Sequence, residues 1–378
     1  MKTFKTLKKL SFILWISLAG ISSAFCQSPP DLEQRVLALE ETAAVKKTGL
    51  EKISDTIGLS GAIELDYSLA DDSDVSDNTR NSSLSSLDIG TVELGLEALL
   101  HETITATLLL KGENLDTDTN IFWDEAFFTF RKKDLPLYFV GGKRVQPFGA
   151  FESWFINDPV TQELYEINKT GATIGFTSDR MANLDINLTV YKGETLIERV
   201  TATDFGWERN TSAGRTATDD VSSMIISASV SPLEKMRLSG YYNSEPGDSD
   251  RNTTLGAAFH WEISNFIMDA EYIGALSRET HVTDKKEYNE AAWVASLGYR
   301  LTEALVVAAR YEDFKTDKTK DGNLDCRYGL AATYTLFETD FVACNLMGEF
   351  RRTEYEASAN STVDSEANEV FARLALAF

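Results

Sequence analysis

Residues 146–169 read QPFGAFESWFINDPVTQELYEINK. Glu152, Asp158, Glu163 and Glu166 supply four carboxylates within that stretch, and Phe148, Phe151, Trp154, Phe155, Ile156 and Tyr165 supply an apolar backing. Acids clustered beside low-dielectric side chains focus a negative field and concentrate cations. So many aromatics on an exposed loop would be unusual. The simplest resolution is a segment folded into a water-filled space, its aromatics packed on an inner wall. Phe148, Phe151, Glu152, Trp154, Asp158, Glu163 and Glu166 would then line a narrowing. The alternative is a lid, or a segment packed against a neighbouring subunit.

Other chemistry finds little support. There are three histidines: His101 falls in a turn, His281 in a loop and His260 on a strand face. No GxSxG-like element accompanies them, and no Gly-rich phosphate loop precedes a helix. The expectation is a chain that is not an enzyme and carries no cofactor. Cys326 and Cys344 fall on neighbouring strands, offset by roughly seven positions, which at ~3.4 Å per residue exceeds disulfide reach. Two free, lipid-facing thiols are expected, and no Cys/His cluster suggests a metal. A net charge of −23 argues against nucleic acid as a partner.

The elements that would position these residues are strands. The last stretch, 368–378, alternates strictly: Val370, Ala372, Leu374, Leu376 and Phe378 on one side, Phe371, Arg373, Ala375 and Ala377 on the other. A strand ending the chain at a membrane edge cannot leave its N–H and C=O groups unpaired. It is expected to pair with the first strand and close a barrel. Sixteen such segments recur, from 58–69 to 368–378, giving an all-β, 16-stranded antiparallel transmembrane barrel over 58–378. Eight long polar connections alternate with seven short turns, the pattern of a barrel with both termini on the periplasmic side.

The alternation is apolar outward and polar inward, the inverse of a soluble protein. The inward charges are Glu64, Asp66, Glu93, Glu97, Lys111, Arg237, Glu262, Asp269, Glu271, Arg310, Glu312, Arg327, Glu349, Arg351 and Arg373. At sixteen strands, side chains no longer fill the interior and an aqueous channel is expected. Trp261, Phe266, Tyr299, Tyr334 and Phe378 should form one interfacial girdle, and Tyr67, Tyr242, Tyr272, Trp293 and Tyr328 the other. Inward acids outnumber inward bases, which predicts a mild preference for cations.

The N-terminus reads as export. Lys2, Lys5, Lys8 and Lys9 precede an apolar core, with small residues before a cleavage site at Ala24 or Cys26. Residues 1–26 are therefore a signal peptide, and their removal leaves a charge of −27. Residues 27–57 show a helical 4-3-4 spacing at Leu32, Val36, Leu39, Ala43, Leu50 and Ile53. That short periplasmic helix could be a coiled coil for oligomerisation or an amphipathic linker.

One run of motifs resembles a known family. Asp124-Glu125-Ala126, Pro136-Leu137-Tyr138, Gly142-Lys143-Arg144, Pro147-Phe148-Gly149, Phe151-Glu152-Ser153 and Asn157-Asp158-Pro159 are similar to those of the LbtU family of siderophore porins. The resemblance implies passage of a ferric siderophore across the outer membrane without a plug domain. It implies no catalytic residues. The reading is an outer-membrane porin for ferric siderophore. The alternatives are a general or ion-selective diffusion porin, and a structural envelope barrel. Its partners would be outer-membrane lipid, a small-molecule solute and, compatibly with either porin reading, further copies of itself.

Overall fold

The computed structural model describes residues 56–378 except 74–81, 117, 203–218, 248–249, 281–285, 318–322 and 357–364. The expected signal peptide and almost all of the expected N-terminal helix lie outside the described residues. Ile57, the last residue of that helical span, already belongs to the first strand.

Sixteen strands form one closed sheet. They are β1 (Ile57–Ser73), β2 (Ser82–His101), β3 (Ile104–Glu113), β4 (Ile121–Arg131), β5 (Leu137–Val145), β6 (Asn168–Ser178), β7 (Leu184–Tyr191) and β8 (Ser223–Val230). The other half comprises β9 (Met236–Glu245), β10 (Asn252–Ile263), β11 (Phe266–Ser277), β12 (Glu290–Arg300), β13 (Leu305–Thr316), β14 (Leu324–Glu338), β15 (Ala343–Tyr355) and β16 (Ser365–Ala377). Each strand pairs antiparallel with its neighbours in sequence, and β1 pairs with β16. Strand closure follows from the alternation at both ends. Leu65 faces Leu374 and Asp66 faces Arg373, so apolar meets apolar and charge meets charge at the seam.

The outer wall exposes large apolar side chains all round the barrel, among them Leu59, Ile63, Leu94, Ile174, Leu188, Leu297, Leu330 and Val370. Rings flank that belt. Phe266 and Tyr299 lie 4.9 Å apart at the short-turn end, and Trp293 and Tyr311 5.0 Å apart towards the long loops. Polar and charged side chains are buried on the inner side instead, including Thr173, Asn187, Glu271, Arg310, Glu312 and Glu349.

Cys326 and Cys344 are free, and both stand on the outward parity of their strands. Neighbours cover them, so they are buried rather than presented to lipid. Cys326 lies 3.5 Å from Glu354 Oε2 and 3.8 Å from the Tyr328 hydroxyl.

Two expectations about the interior need correction. The fourth long connection is not simply solvated: it begins with a helix, Thr195–Ala202, whose Leu196, Ile197 and Val200 are fully buried. The inner wall is also not polar throughout. Ile225, Tyr241, Ile273, Ala292, Val294 and Phe314 face inward and bury together with residues of the third and fourth long loops. Apolar side chains are favoured there because the loops cover them and exclude water.

Candidate functional site

The third long loop, residues 146–167, folds inside the barrel. It carries a short helix, α1 (Val160–Tyr165), which packs against β11, β12 and β13. Pro159 sits before α1 with an extended backbone, φ −69° and ψ 153°. Its carbonyl accepts the first hydrogen bonds of the helix, from Gln162 N and Glu163 N. Val160, Leu164 and Tyr165 are fully buried, so the helix turns its apolar side to the wall.

Local backbone fixes the loop's entry. Gly149 has φ +96° and Phe151 has φ +49°. The Phe151 ring lies directly over Gly149, where any Cβ would meet it at 2.1 Å. Only glycine combines that φ with that contact. Several residues of the quoted motifs, Phe148, Gly149, Phe151 and Pro159, are thus the ones that shape the loop.

Three inner-wall carboxylates hold the loop by its backbone. Glu271 accepts hydrogen bonds from Ala150 N at 2.6 Å and Thr161 Oγ1 at 2.8 Å. Glu312 accepts from Val160 N at 2.7 Å, and Glu349 from Ile156 N and Asn157 N at 2.8 and 3.0 Å. Arg310 sits among them. It pairs with Glu312 at 2.5 Å, donates to Ser153 Oγ and Asn157 O, and lies 4.2 Å from the Phe155 ring centre. Buried charges are tolerated here because each finds an opposite charge or a fixed N–H.

The acidic residues of the loop divide into two sets. Glu152 pairs with Arg237, and Glu163 with Arg327 at 2.7 Å. Those two fasten the loop. Glu166 accepts from Gln162 Nε2 at 2.7 Å and lies 3.7 Å from Arg199. Asp158 keeps solvent-exposed surface although protein surrounds its carboxyl. Burial among surrounding protein, then Glu166 and Glu163 nearby, raises its carboxyl above the ordinary range, while Lys111 and Arg199 pull it back. Phe148 is fully buried in the loop core, Phe151 packs on that core, and Trp154 packs on Phe155, Ala308 and Ala331.

The opposite wall is more open and carries its own charges. Arg373 bridges Glu64 at 3.0 Å and Asp66 at 2.7 Å, and Lys111 bridges Glu93 at 3.7 Å and Glu113 at 2.7 Å. Arg351 pairs with Glu369 at 2.7 Å and lies 5.0 Å from the Phe371 ring centre. Glu97 is exposed. Towards the short turns, Glu262 takes Arg300 at 3.0 Å and Lys235 at 3.4 Å, and Asp269 takes His260 at 2.5 Å. His260 pairs with Asp269, and Ser296 donates to the same carboxylate at 3.5 Å.

Residues that sequence reasoning passed over complete the inner packing. The helix Thr195–Ala202, α2, packs on α1 and β9. Glu245 accepts from Leu196 N at 2.7 Å, Ile197 N at 3.0 Å and the Tyr191 hydroxyl at 2.5 Å. Arg199 donates to the Glu163 and Gln162 carbonyls at 2.8 and 3.2 Å, tying α2 to the end of α1. The signal lay in Leu196, Ile197 and Val200, a helical spacing inside a segment otherwise rich in polar residues.

No family model matches the chain. No curated protein matches it in sequence either. Solved structures do match in fold. The outer membrane channel DcaP of Acinetobacter baumannii superposes with a TM-score of 0.60 at 10% identity, over 85% of this chain and 97% of that one. An anion-selective porin from Comamonas acidovorans gives 0.60 at 8% identity, over 85% and 99%. Salmonella typhi OmpF gives 0.56 at 11% identity, over 84% and 97%. At such identities the likeness is one of fold: this chain is a closed 16-stranded barrel similar to those of outer-membrane porins.

Proposed function

We propose that the chain is a bacterial outer-membrane porin whose third loop narrows a water-filled bore, with both termini in the periplasm. The observation that carries this is the set of inner-wall carboxylates, Glu271, Glu312 and Glu349, gripping the loop's amides. A loop held by buried charges inside a barrel has a cost that only a use for the interior explains. Asp158 and Glu166 form the loop side of the passage, and Lys111 and Arg373 stand on the other wall beside Glu64, Asp66 and Glu93. Acids outnumber bases there, so the passage favours small cations over anions. The barrel itself contacts lipid, and further copies of the chain could join it.

Planar-bilayer recording tests the reading. Discrete conductance steps with a cation-directed reversal potential are expected in a potassium chloride gradient. A barrel that inserts without any channel events would leave only the structural-envelope alternative.

The resemblance to siderophore porins supports a narrower reading, passage of a ferric siderophore. It rests on Arg144, Pro147, Phe148, Gly149, Asn157, Asp158 and the neighbouring motif residues. Several of these shape the loop and need not touch a solute, so general diffusion is the reading the geometry favours. Uptake of labelled ferric siderophore by cells with and without the gene separates them. Unchanged uptake on deletion removes the narrower reading and leaves the porin.

A further inference from the structure

Rows of small outward residues dent the wall in several places, and one such dent lies between β10 and β15. Ala270 pairs directly with Ala295 across β11 and β12. Ala309 follows on β13, opposite Leu297. All three stand on the outward parity of their strands. Their missing bulk leaves a groove of about 760 Å³. Met268 and Leu297 rim it towards the short turns, Tyr311 and Tyr328 towards the long loops, and Phe259 and Phe350 close its ends.

We propose that this groove seats a single acyl chain of a membrane lipid. The volume falls within the ~300–1,000 Å³ typical of built small-molecule sites. The outward side chains lining it are apolar or phenolic. Water placed there would lack partners for its hydrogen bonds, whereas a hydrocarbon tail needs none. Trp293, Tyr311 and Tyr328 form a continuous aromatic edge on the long-loop side, with centroid spacings of 5.0 and 5.2 Å. Beyond that edge the outward residues become charged: Lys315 pairs with Asp313 and Asp325, and Arg352 with Glu354 and Glu366. A tail lying in the groove therefore leaves its headgroup at the level of these charges, past the rings that mark the interface. A second copy of the barrel is the competing occupant, and the mass measured in the test separates it from lipid.

The inference rests on the membrane reading, and the test keeps the two apart. Barrels folded in a lipid-free detergent are mixed with palmitoyl-oleoyl phosphatidylethanolamine and examined by native mass spectrometry. One lipid adduct should persist under activation that strips the rest. Ala295→Phe and Ala309→Phe, which fill the groove, should lower the retained fraction about tenfold. Ala257→Phe, outward on β10 but outside the groove, should leave it unchanged. Heat-modifiable gel migration confirms folding, and Ala295→Val serves as a milder filling if the larger ring prevents it. Wild-type barrels that retain no adduct, filled barrels that retain it equally, or a dimer mass in place of lipid would each overturn the groove assignment. If those same barrels conduct in bilayers, the porin reading survives that result.

Discussion

Gly61 and Phe378 exchange both backbone hydrogen bonds, Gly61 N to Phe378 O at 2.9 Å and Phe378 N to Gly61 O at 3.0 Å. The Phe378 ring lies over Gly61, so that a Cβ there would stand 2.5 Å from its Cζ. The last residue of the chain thus locks the strand that closes the barrel onto the strand that opens it. Gly61→Val should destabilise closure by about 1–3 kcal/mol, the usual cost of overpacking. Phe378→Ala in the same chain should recover part of that loss by removing the ring. Urea midpoints followed by heat-modifiable migration would measure both, and a Gly61→Val barrel as stable as the parent would disprove the contact's importance.

Glu349 offers the sharpest test of the loop's attachment. It is 3% exposed and receives Ile156 N and Asn157 N while lying 3.9 Å from Arg310. Glu349→Ala leaves two amides and part of a buried guanidinium without a partner, a local cost of about 3–5 kcal/mol. The loop should then leave the wall for part of the time. Single-channel recordings should show larger and noisier steps, with the barrel itself still folded. Conductance identical to wild type would mean that the remaining anchors, Glu271 and Glu312, suffice alone.

How much of this could be read from residues alone varied with what each residue faces. A strand with lipid on one side and water on the other must alternate, so Leu374 and Arg373, or Leu94 and Glu93, declared their sides without coordinates. Closure followed because a strand edge facing lipid cannot be left unpaired. The aromatics of 146–167 marked a loop that needed cover. Ile225, Ile273 and Val294 gave no such sign. An apolar inward residue looks like a slip of register until the loop that covers it is known. Glu245 was equally silent, because its partners Leu196 and Ile197 lie almost fifty positions away and meet it only after the barrel curves.

Those partners make the fourth loop a second brace. Glu245→Ala would leave the Leu196 and Ile197 amides and the Tyr191 hydroxyl without their shared acceptor. Each unsatisfied buried donor costs about 1–3 kcal/mol. The helix α2 should detach, and with it the Arg199 contacts to the end of α1. Arg199→Ala removes those contacts alone and, being partly exposed, should cost only about 1 kcal/mol. Limited proteolysis would rank the two: rapid cleavage within 195–202 for Glu245→Ala, slow cleavage for Arg199→Ala. The reverse order would show that Arg199, not the buried carboxylate, holds the helix.

Asp158 should make the passage sensitive to mild acid. Its carboxyl titrates above the ordinary carboxylate range because burial and the neighbouring Glu166 and Glu163 oppose its charge. A raised folded pKa means that the folded protein holds this proton more tightly than the unfolded chain. Ionising Asp158 therefore subtracts stability as pH rises from the unfolded pKa through the folded one, and acid restores it. Selectivity moves the opposite way. As pH falls through the folded pKa the residue loses its charge, while carboxylates of ordinary pKa remain ionised, so cation preference should weaken before general acid titration begins. Asp158→Asn should show the weakened preference at every pH and a flatter profile across that interval. Reversal potentials in a potassium chloride gradient, taken stepwise from neutral to acidic pH, measure both effects. If Asp158→Asn and wild type trace the same curve, another carboxylate governs the narrow part of the bore.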